Sequence, residues 1–344
     1  LIPEKKIRFA VIGQGHIGKR HAEMIRRNPN CELIAVCDTL TKEETGNHSI
    51  AEKYYMSVAE MLTDNAEIDV VCVCTPNGMH AEHTLMALDK KKHVICEKPM
   101  ALSTKDCKMI IKRAMETSRQ VFCVMQNRYS PPSAWLKDVI ERQLLGDIFM
   151  VQLNCYWNRD ERYYKPGNWK GGHLMDGGTL FTQFSHFIDI LYWLFGDIKD
   201  IQAKFNDFTH GKLTEFEDSG AISFNFTNGG IGSINYSTAV WDSNLESSLT
   251  VIGSMGSIKV GGQYMDKVEY CHIKNYTLPE LPPTRPANDY GTYKGSANNH
   301  HLMIQNVVDT LQGRAKSTTN AEEGLRVVDI IERIYTLRNG NRKS

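Results

Sequence analysis

Six residues near the start of the chain, Gly13-Gln14-Gly15-His16-Ile17-Gly18, have the spacing of a phosphate-binding turn, with an apolar stretch before them and a helical pattern after. In that setting Gly13 permits a tight turn, Gly15 lets the backbone approach a pyrophosphate, and Gly18 allows close helix packing. The helix N-terminus, at His16 and Ile17, favours the ligand's negative charge. Asp38, twenty residues past Gly18 at the end of the next predicted strand, can accept hydrogen bonds from ribose hydroxyls and would repel a 2′-phosphate. Together these residues predict NAD, rather than NADP, as cofactor.

Two more short runs, Thr75-Pro76-Asn77 and Glu97-Lys98-Pro99, fall at the carboxyl ends of predicted strands. Open α/β sheets bind ligands at that edge. Thr75, Asn77, His80, Glu97, Lys98 and Gln126 are the candidate cofactor contacts there. A Lys-Pro pair can direct the Lys98 ammonium into the cleft; by position alone a surface lysine is an equal reading.

The segment from Asp176 to Gly196 holds the remaining chemistry. On a regular helix Thr182, His186, Asp189 and Trp193 fall within about 60° of one another, with Leu180, Phe184, Phe187 and Leu191 opposite. One face is then core, and the other sets an imidazole beside a hydroxyl and a carboxylate. Asp189, at i+3, would orient His186 or raise its pKa. Oxidation of a secondary alcohol by hydride transfer needs a group to take the hydroxyl proton, and His186 can accept it. Lys98 as an ammonium can hold the developing alkoxide. The reverse assignment, a neutral Lys98 as base, stays open.

The elements that must position these groups follow from periodicity. Strands are predicted over 7–12, 32–37, 69–74, 93–96 and 121–125, and helices over 17–28, 51–55, 58–62, 80–90 and 104–117. This alternation reads as a parallel sheet of βαβ units. The pattern then changes: helices over 134–143 and 178–195, and strands over 148–157, 201–208, 221–226, 230–239, 247–253, 257–260 and 268–273, separated by turn residues as in an antiparallel sheet. Helices at 300–311 and 321–337 close the chain. Residues 277–299 carry four of the eleven prolines and read as a loop over the site or an arm to another subunit. The expected architecture is an α/β Rossmann domain over 1–126 and an α+β domain with a large, mostly antiparallel sheet over 127–344, the last helices able to pack back on the first domain.

Composition excludes several classes. The 344 residues carry 40 basic and 40 acidic side chains, so nucleic-acid binding has no electrostatic support. No apolar run approaches the roughly 20 residues of a membrane helix, and residues 1–8 lack a signal peptide's apolar middle. The nine cysteines show no zinc spacing, and most read as small buried residues of a reducing compartment, hence a cytoplasmic expectation. His300-His301 reads as a helix start, and no metal site is expected.

Four pieces in order resemble the Gfo/Idh/MocA family of sugar oxidoreductases: the glycine turn, Glu97-Lys98-Pro99, Gln126-Asn127-Arg128-Tyr129, and the glycine-led helix with His186-x-x-Asp189. The resemblance spans essentially the whole chain. It implies that Lys98 lies by the nicotinamide and the reacting hydroxyl, and that His186 is a substrate-contacting acid/base. Many members carry an Asp four residues before that histidine, where this chain has Thr182. Tyr163-Tyr164 through Trp169-Lys170-Gly171, with Gly177-Gly178, resembles the nucleotide-sugar 3-dehydrogenase branch. That branch implies UDP-N-acetyl-glucosaminuronic acid as substrate, oxidised at its 3-hydroxyl during surface-polysaccharide synthesis. Arg128, Arg159, Tyr163, Trp169, Lys170 and Thr182 join Lys98 and His186 as candidate sugar and anion contacts, while Tyr129 and Trp157 read as core. Family analogy also implies a homo-oligomer, dimer or tetramer, formed through the open sheet face. The alternatives are an inositol or free-sugar dehydrogenase, a biliverdin- or dihydrodiol-type reductase, and a non-catalytic dinucleotide-binding sensor.

Overall fold

A computed structural model describes residues 5–46, 52–288, 291, 294, 295 and 297–340. It divides into two compact units, one of residues 1–124 and 300–328 and the other of residues 125–299 and 329–344.

The first unit opens with β1 (Ile7–Ile12), α1 (His16–Arg27), β2 (Cys31–Cys37), β3 (Lys53–Tyr55), α2 (Val58–Asp64), β4 (Val70–Val73), α3 (His80–Asp89), β5 (His93–Cys96), α4 (Thr104–Thr117) and β6 (Val121–Cys123). Its six strands lie in the order β3-β2-β1-β4-β5-β6, all parallel. A parallel sheet is covered on both faces, so its central strands read as unbroken apolar runs. Val70-Val71-Cys72-Val73 is such a run, every residue fully buried. Order reverses between β1 and β4, which places the ends of these strands at the sheet's switch point. Residues 53–55, expected in a helix, form an edge strand paired with β2 from Ala35 to Cys37. The vicinal Tyr54 and Tyr55 suit a pleated surface, and the sheet edge offers their backbone its partners. Residue 51 lies outside the described residues.

In the second unit come α5 (Pro131–Glu141), β7 (Ile148–Tyr156), α6 (Ser185–Phe195), β8 (Ile198–Asn206), β9 (Ser219–Phe226), β10 (Ile231–Ser237), β11 (Glu246–Gly253), β12 (Gly256–Gly261) and β13 (Lys267–Ile273). Two last helices follow, α7 (His300–Leu311) and α8 (Ala321–Gly340). The seven strands run β13-β12-β11-β7-β10-β9-β8 and are antiparallel except at β7–β10, where the pairing is parallel. The result is a Rossmann unit followed by an α+β unit on a mostly antiparallel sheet. Alternation along β7, β10 and β11 buries Val151, Leu153, Ile234, Tyr236, Leu249 and Val251 on one face. Trp157, beyond the end of β7, packs edge-on against Phe184 and Phe187 and donates its indole N–H to Ser247. On the other face Met150, Ile231 and Ile252, paired side by side, stay exposed.

Glu217 is buried beneath that sheet and accepts hydrogen bonds from the hydroxyls of Tyr236 and Tyr335, both at 2.8 Å, and from Arg338 at 2.6 Å. All nine cysteine thiols are free. Among the described residues, no helix is long and apolar enough to cross a membrane.

Candidate active site

The glycine turn links β1 to α1. Gly13 has φ +90°, and a Cβ there would lie 2.5 Å from the carbonyl oxygen of Cys74. A Cβ on Gly18 would fall 1.7 Å from the carbonyl oxygen of Gly13, so only glycine lets the helix seat against the turn. Around Gly15, by contrast, the space is open. Gly15 caps α1 without a side-chain hydrogen bond, and the first turn carries no acidic residue. Gly15 and His16 are exposed and Ile17 is half-buried at the helix's positive end. Asp38 is anchored by the backbone N–H groups of Gln14 at 2.6 Å and Leu40 at 3.0 Å, and remains partly open. An open cradle at Gly15, an exposed helix start and a braced carboxylate fit a dinucleotide, whose pyrophosphate the turn would hold and whose ribose Asp38 would meet.

The same edge gathers the other expected cofactor residues of this unit. His80, buried at the start of α3, spans two loops: Nδ1 lies 2.6 Å from the carbonyl oxygen of Pro99 and Nε2 lies 2.8 Å from that of Thr75. Burial holds its pKa down against the pull of those two carbonyls. Asn77 is buried beside it in sequence, and Lys98 is half-buried. Glu97 is buried, with Oε1 accepting from Nε2 of His21 at 2.8 Å and lying 3.6 Å from Nε2 of His300. Burial alone would raise this carboxyl; His21 and His300 outweigh it and hold the group well below the usual carboxylate range. His300 does begin a helix, and it also joins this buried group, a partnership absent from its sequence neighbourhood. The three residues bring ligand atoms within 4.8 Å of one another, but 2.8 Å is a hydrogen bond's length and already satisfies the carboxylate.

The histidine helix departs from a regular one. Leu180–Phe184 forms a single π turn before α6. Its wider winding breaks the phase assumed between Thr182 and His186. Every residue from Leu180 to Leu191 is buried, so neither face is open surface. His186 sits with Nε2 at 3.3 Å from the amide nitrogen of Gln126. An amide hydrogen aimed there meets a lone pair on Nε2, the form a proton acceptor needs.

Asp189 does not orient His186. Its two oxygens take Nε and a terminal nitrogen of Arg128 at 2.8 and 2.6 Å, with both side chains almost wholly buried. A forked guanidinium matches a carboxylate far better than an imidazole one turn away. Arg128, expected as a sugar contact, is committed to this pair and stacks 5.2 Å from the Trp193 ring centre. Arg159 is similarly engaged. It is 2% exposed and donates to Gln183 at 2.8 Å, to the carbonyls of Asn158 and Lys294, and to Asn244. It braces Gln183 and the ring of Tyr163, 5.1 Å away.

Tyr163 accepts from the Gln183 amide at 2.8 Å, and the Lys170 ammonium stands 3.8 Å from the Tyr163 ring centre and 6.0 Å from that of Trp169. Tyr163, Trp169 and Lys170 thus lie together, the ammonium beside both rings. Gln183 escaped the sequence reading, although it adjoins Thr182. So did Asp176, whose Asp-Gly-Gly lead into the helix was the available signal. Thr182 donates its hydroxyl to the Asp176 carboxyl and to the Asp176 carbonyl oxygen, and Gly171 N–H donates to the same carboxyl at 2.9 Å. Burial raises Asp176 to about 6 despite these donors and Lys170.

These are the features of the Gfo/Idh/MocA oxidoreductases, and the chain belongs to that family. Residues 7–125 match its NAD-binding Rossmann fold and residues 137–343 its C-terminal alpha/beta domain. It is an NAD-binding sugar oxidoreductase. The D-glucoside 3-dehydrogenase of Escherichia coli is 26% identical over 96% of this chain and 94% of that protein. The WlbA dehydrogenase of Bordetella pertussis, solved with NADH and UDP-GlcNAcA, has a TM-score of 0.85 at 29% identity and covers 98% of both chains. The Chromobacterium violaceum WlbA, solved with the same two ligands, gives 0.85 and 29% over 98% of this chain and 96% of that one.

Two predictions follow from this geometry. A carboxyl raised on folding stabilises the native state below its ordinary pKa, and that contribution is lost as pH rises through about 6. Asp176→Asn should therefore gain on the wild type between about pH 4 and about pH 7. Thermal midpoints across that range check it, and parallel curves would mean that Asp176 ionises normally. Asp38→Ala should shift the ratio of kcat/KM for NAD over NADP toward NADP, whereas an unchanged ratio would place discrimination elsewhere.

Proposed function

We propose that this chain oxidises the 3-hydroxyl of UDP-N-acetyl-glucosaminuronic acid to a ketone, with NAD, in the cytoplasm and as a step of surface-polysaccharide synthesis. The observation that carries the reading is the Tyr163–Gln183–Lys170 group beside the His186 helix, in a chain similar along its whole length to two WlbA dehydrogenases. Aromatic rings suit the apolar faces of a sugar, and a lysine suits a carboxylate or diphosphate.

Bound NAD supplies the ring carbon that takes the hydride. His186, as a neutral imidazole, takes the hydroxyl proton as the hydride leaves. Lys98, as an ammonium, stabilises the oxygen while it carries alkoxide charge and then as a carbonyl. Thr182 commits its hydroxyl hydrogen to Asp176, which leaves an oxygen lone pair for a donor on the sugar. Gln126, Thr75, Asn77 and His80 complete the proposed cofactor contacts.

A second reading, oxidation of a free sugar or glycoside, draws on the likeness to D-glucoside 3-dehydrogenase. Absorbance of reduced nicotinamide separates the two. With UDP-N-acetyl-glucosaminuronic acid and NAD the absorbance should rise, and UDP should inhibit. No rise with this sugar, but turnover of glycosides insensitive to UDP, would replace the substrate. Lys98→Ala and His186→Ala should each lower kcat by about 10² or more while NAD still binds. Near-normal turnover in either would remove that residue from the mechanism.

The exposed row Met150, Ile231 and Ile252 supports the proposal that the open sheet face pairs with a second copy, giving a dimer or tetramer. Sedimentation should show an oligomer that Met150→Lys with Ile252→Lys dissociates. A monomeric wild type would refute it.

A further inference from the structure

Next to Lys98 lies a buried polar group that the reaction as derived does not use. Glu97 is 6% exposed, and His21 and His300 are fully buried. Glu97 Oε1 accepts from His21 at 2.8 Å, and Oε2 accepts the backbone N–H of Lys98 at 3.2 Å. Its own backbone N–H is held by the carbonyl of Val73 at 3.0 Å, so the residue is fixed from both strands of the sheet's centre. His21 lies on α1, one turn past Gly18, and His300 is the first residue of α7. The two rings meet edge to face at 5.5 Å. A filled core would be served as well by apolar side chains, since burying a carboxylate is unfavourable without good partners. What a carboxylate adds is direction: one side chain joins the helix of the dinucleotide turn, the end of β5 and the start of α7.

We propose that Glu97, His21 and His300 are positioning residues for Lys98, the carboxylate tying the lysine's backbone to the helix that receives the pyrophosphate. The proposal rests on the reading of Lys98 as the group that holds the substrate oxygen. Around the carboxylate stand His21, Arg20 and the Cys74 thiol, with Cys72, Cys96, His80 and His300 from the adjoining elements. Burial pushes the thiols up and His300 down, so at neutral pH these groups carry little charge. Glu97 is then the chief anion near the Lys98 backbone.

The test reads Lys98 without any sugar. Competitive labelling of the full-length enzyme with acetic anhydride across pH, followed by mass spectrometry, gives the apparent pKa of the Lys98 amine. Glu97→Gln keeps the shape and removes the charge; it should lower that pKa by about 0.5 or more. His21→Leu removes the donor and His21→Gln retains one. Wherever a sugar turns over, Glu97→Gln and His21→Leu should lower kcat about tenfold, with NAD affinity within about threefold and His21→Gln recovering most of the loss. Unchanged Lys98 titration in Glu97→Gln, together with equal behaviour of the two His21 variants, overturns the proposal. Should Lys98→Ala prove fully active, the reading of Lys98 fails, yet the labelling result still decides whether Glu97 and His21 govern that lysine. If Glu97→Gln does not fold, the His21 pair carries the same comparison.

Discussion

The ion pair of Arg128 with Asp189 is the interaction on which the second unit's chemistry depends. Both charges are almost wholly buried and meet through two parallel contacts. Removing one partner of such a pair would strand the other and destabilise by about 3–5 kcal/mol. Its effect is to clamp the segment Gln126–Tyr129 onto α6. Gln126, two residues before Arg128, is thereby brought to His186, one turn before Asp189. A rigid structural charge pair thus fixes the surroundings of His186, the proposed proton acceptor.

The Rossmann unit works by a related constraint. Gly13 and Gly18 crowd so closely that no side chain fits, and α1 is seated with its exposed N-terminus at the turn. Glu97 and His80 then brace the loops after β5 and β4, one by accepting hydrogen bonds and the other by bridging two carbonyls. In both units the side chains that brace these loops, Glu97, His80, Arg128 and Asp189, are buried and hydrogen-bonded within the fold. Gly15 stays exposed, and Asp38, Lys98 and Lys170 are half-buried.

Much of this was legible in the sequence because it is local. The turn, its helix and Asp38 sit within one βαβ unit, and the alternation of the later strands marks an antiparallel sheet with one open face. Tyr163, Trp169 and Lys170 are near neighbours in the chain, and their grouping needed only a short loop. The failures share a cause. A helix over 51–55 was expected from a pattern too short to outweigh the sheet edge that takes up Tyr54 and Tyr55. The two-faced helix assumed a constant winding, which the π turn at Leu180–Phe184 interrupts.

The sequence by itself determined the two fold classes, the order of the elements and the dinucleotide cradle, since hydrophobic period and glycine spacing act over a few residues. Only the tertiary structure decided which buried charges pair. Spacing offered Asp189 to His186, three residues away, but the fold delivers Arg128 from 61 residues distant. Glu97 likewise finds His21 from 76 residues away. An i to i+3 attraction on a helix is worth only a few tenths of a kcal/mol. A desolvated carboxylate demands stronger, better aligned donors, and it takes them from whatever part of the chain the fold brings within reach.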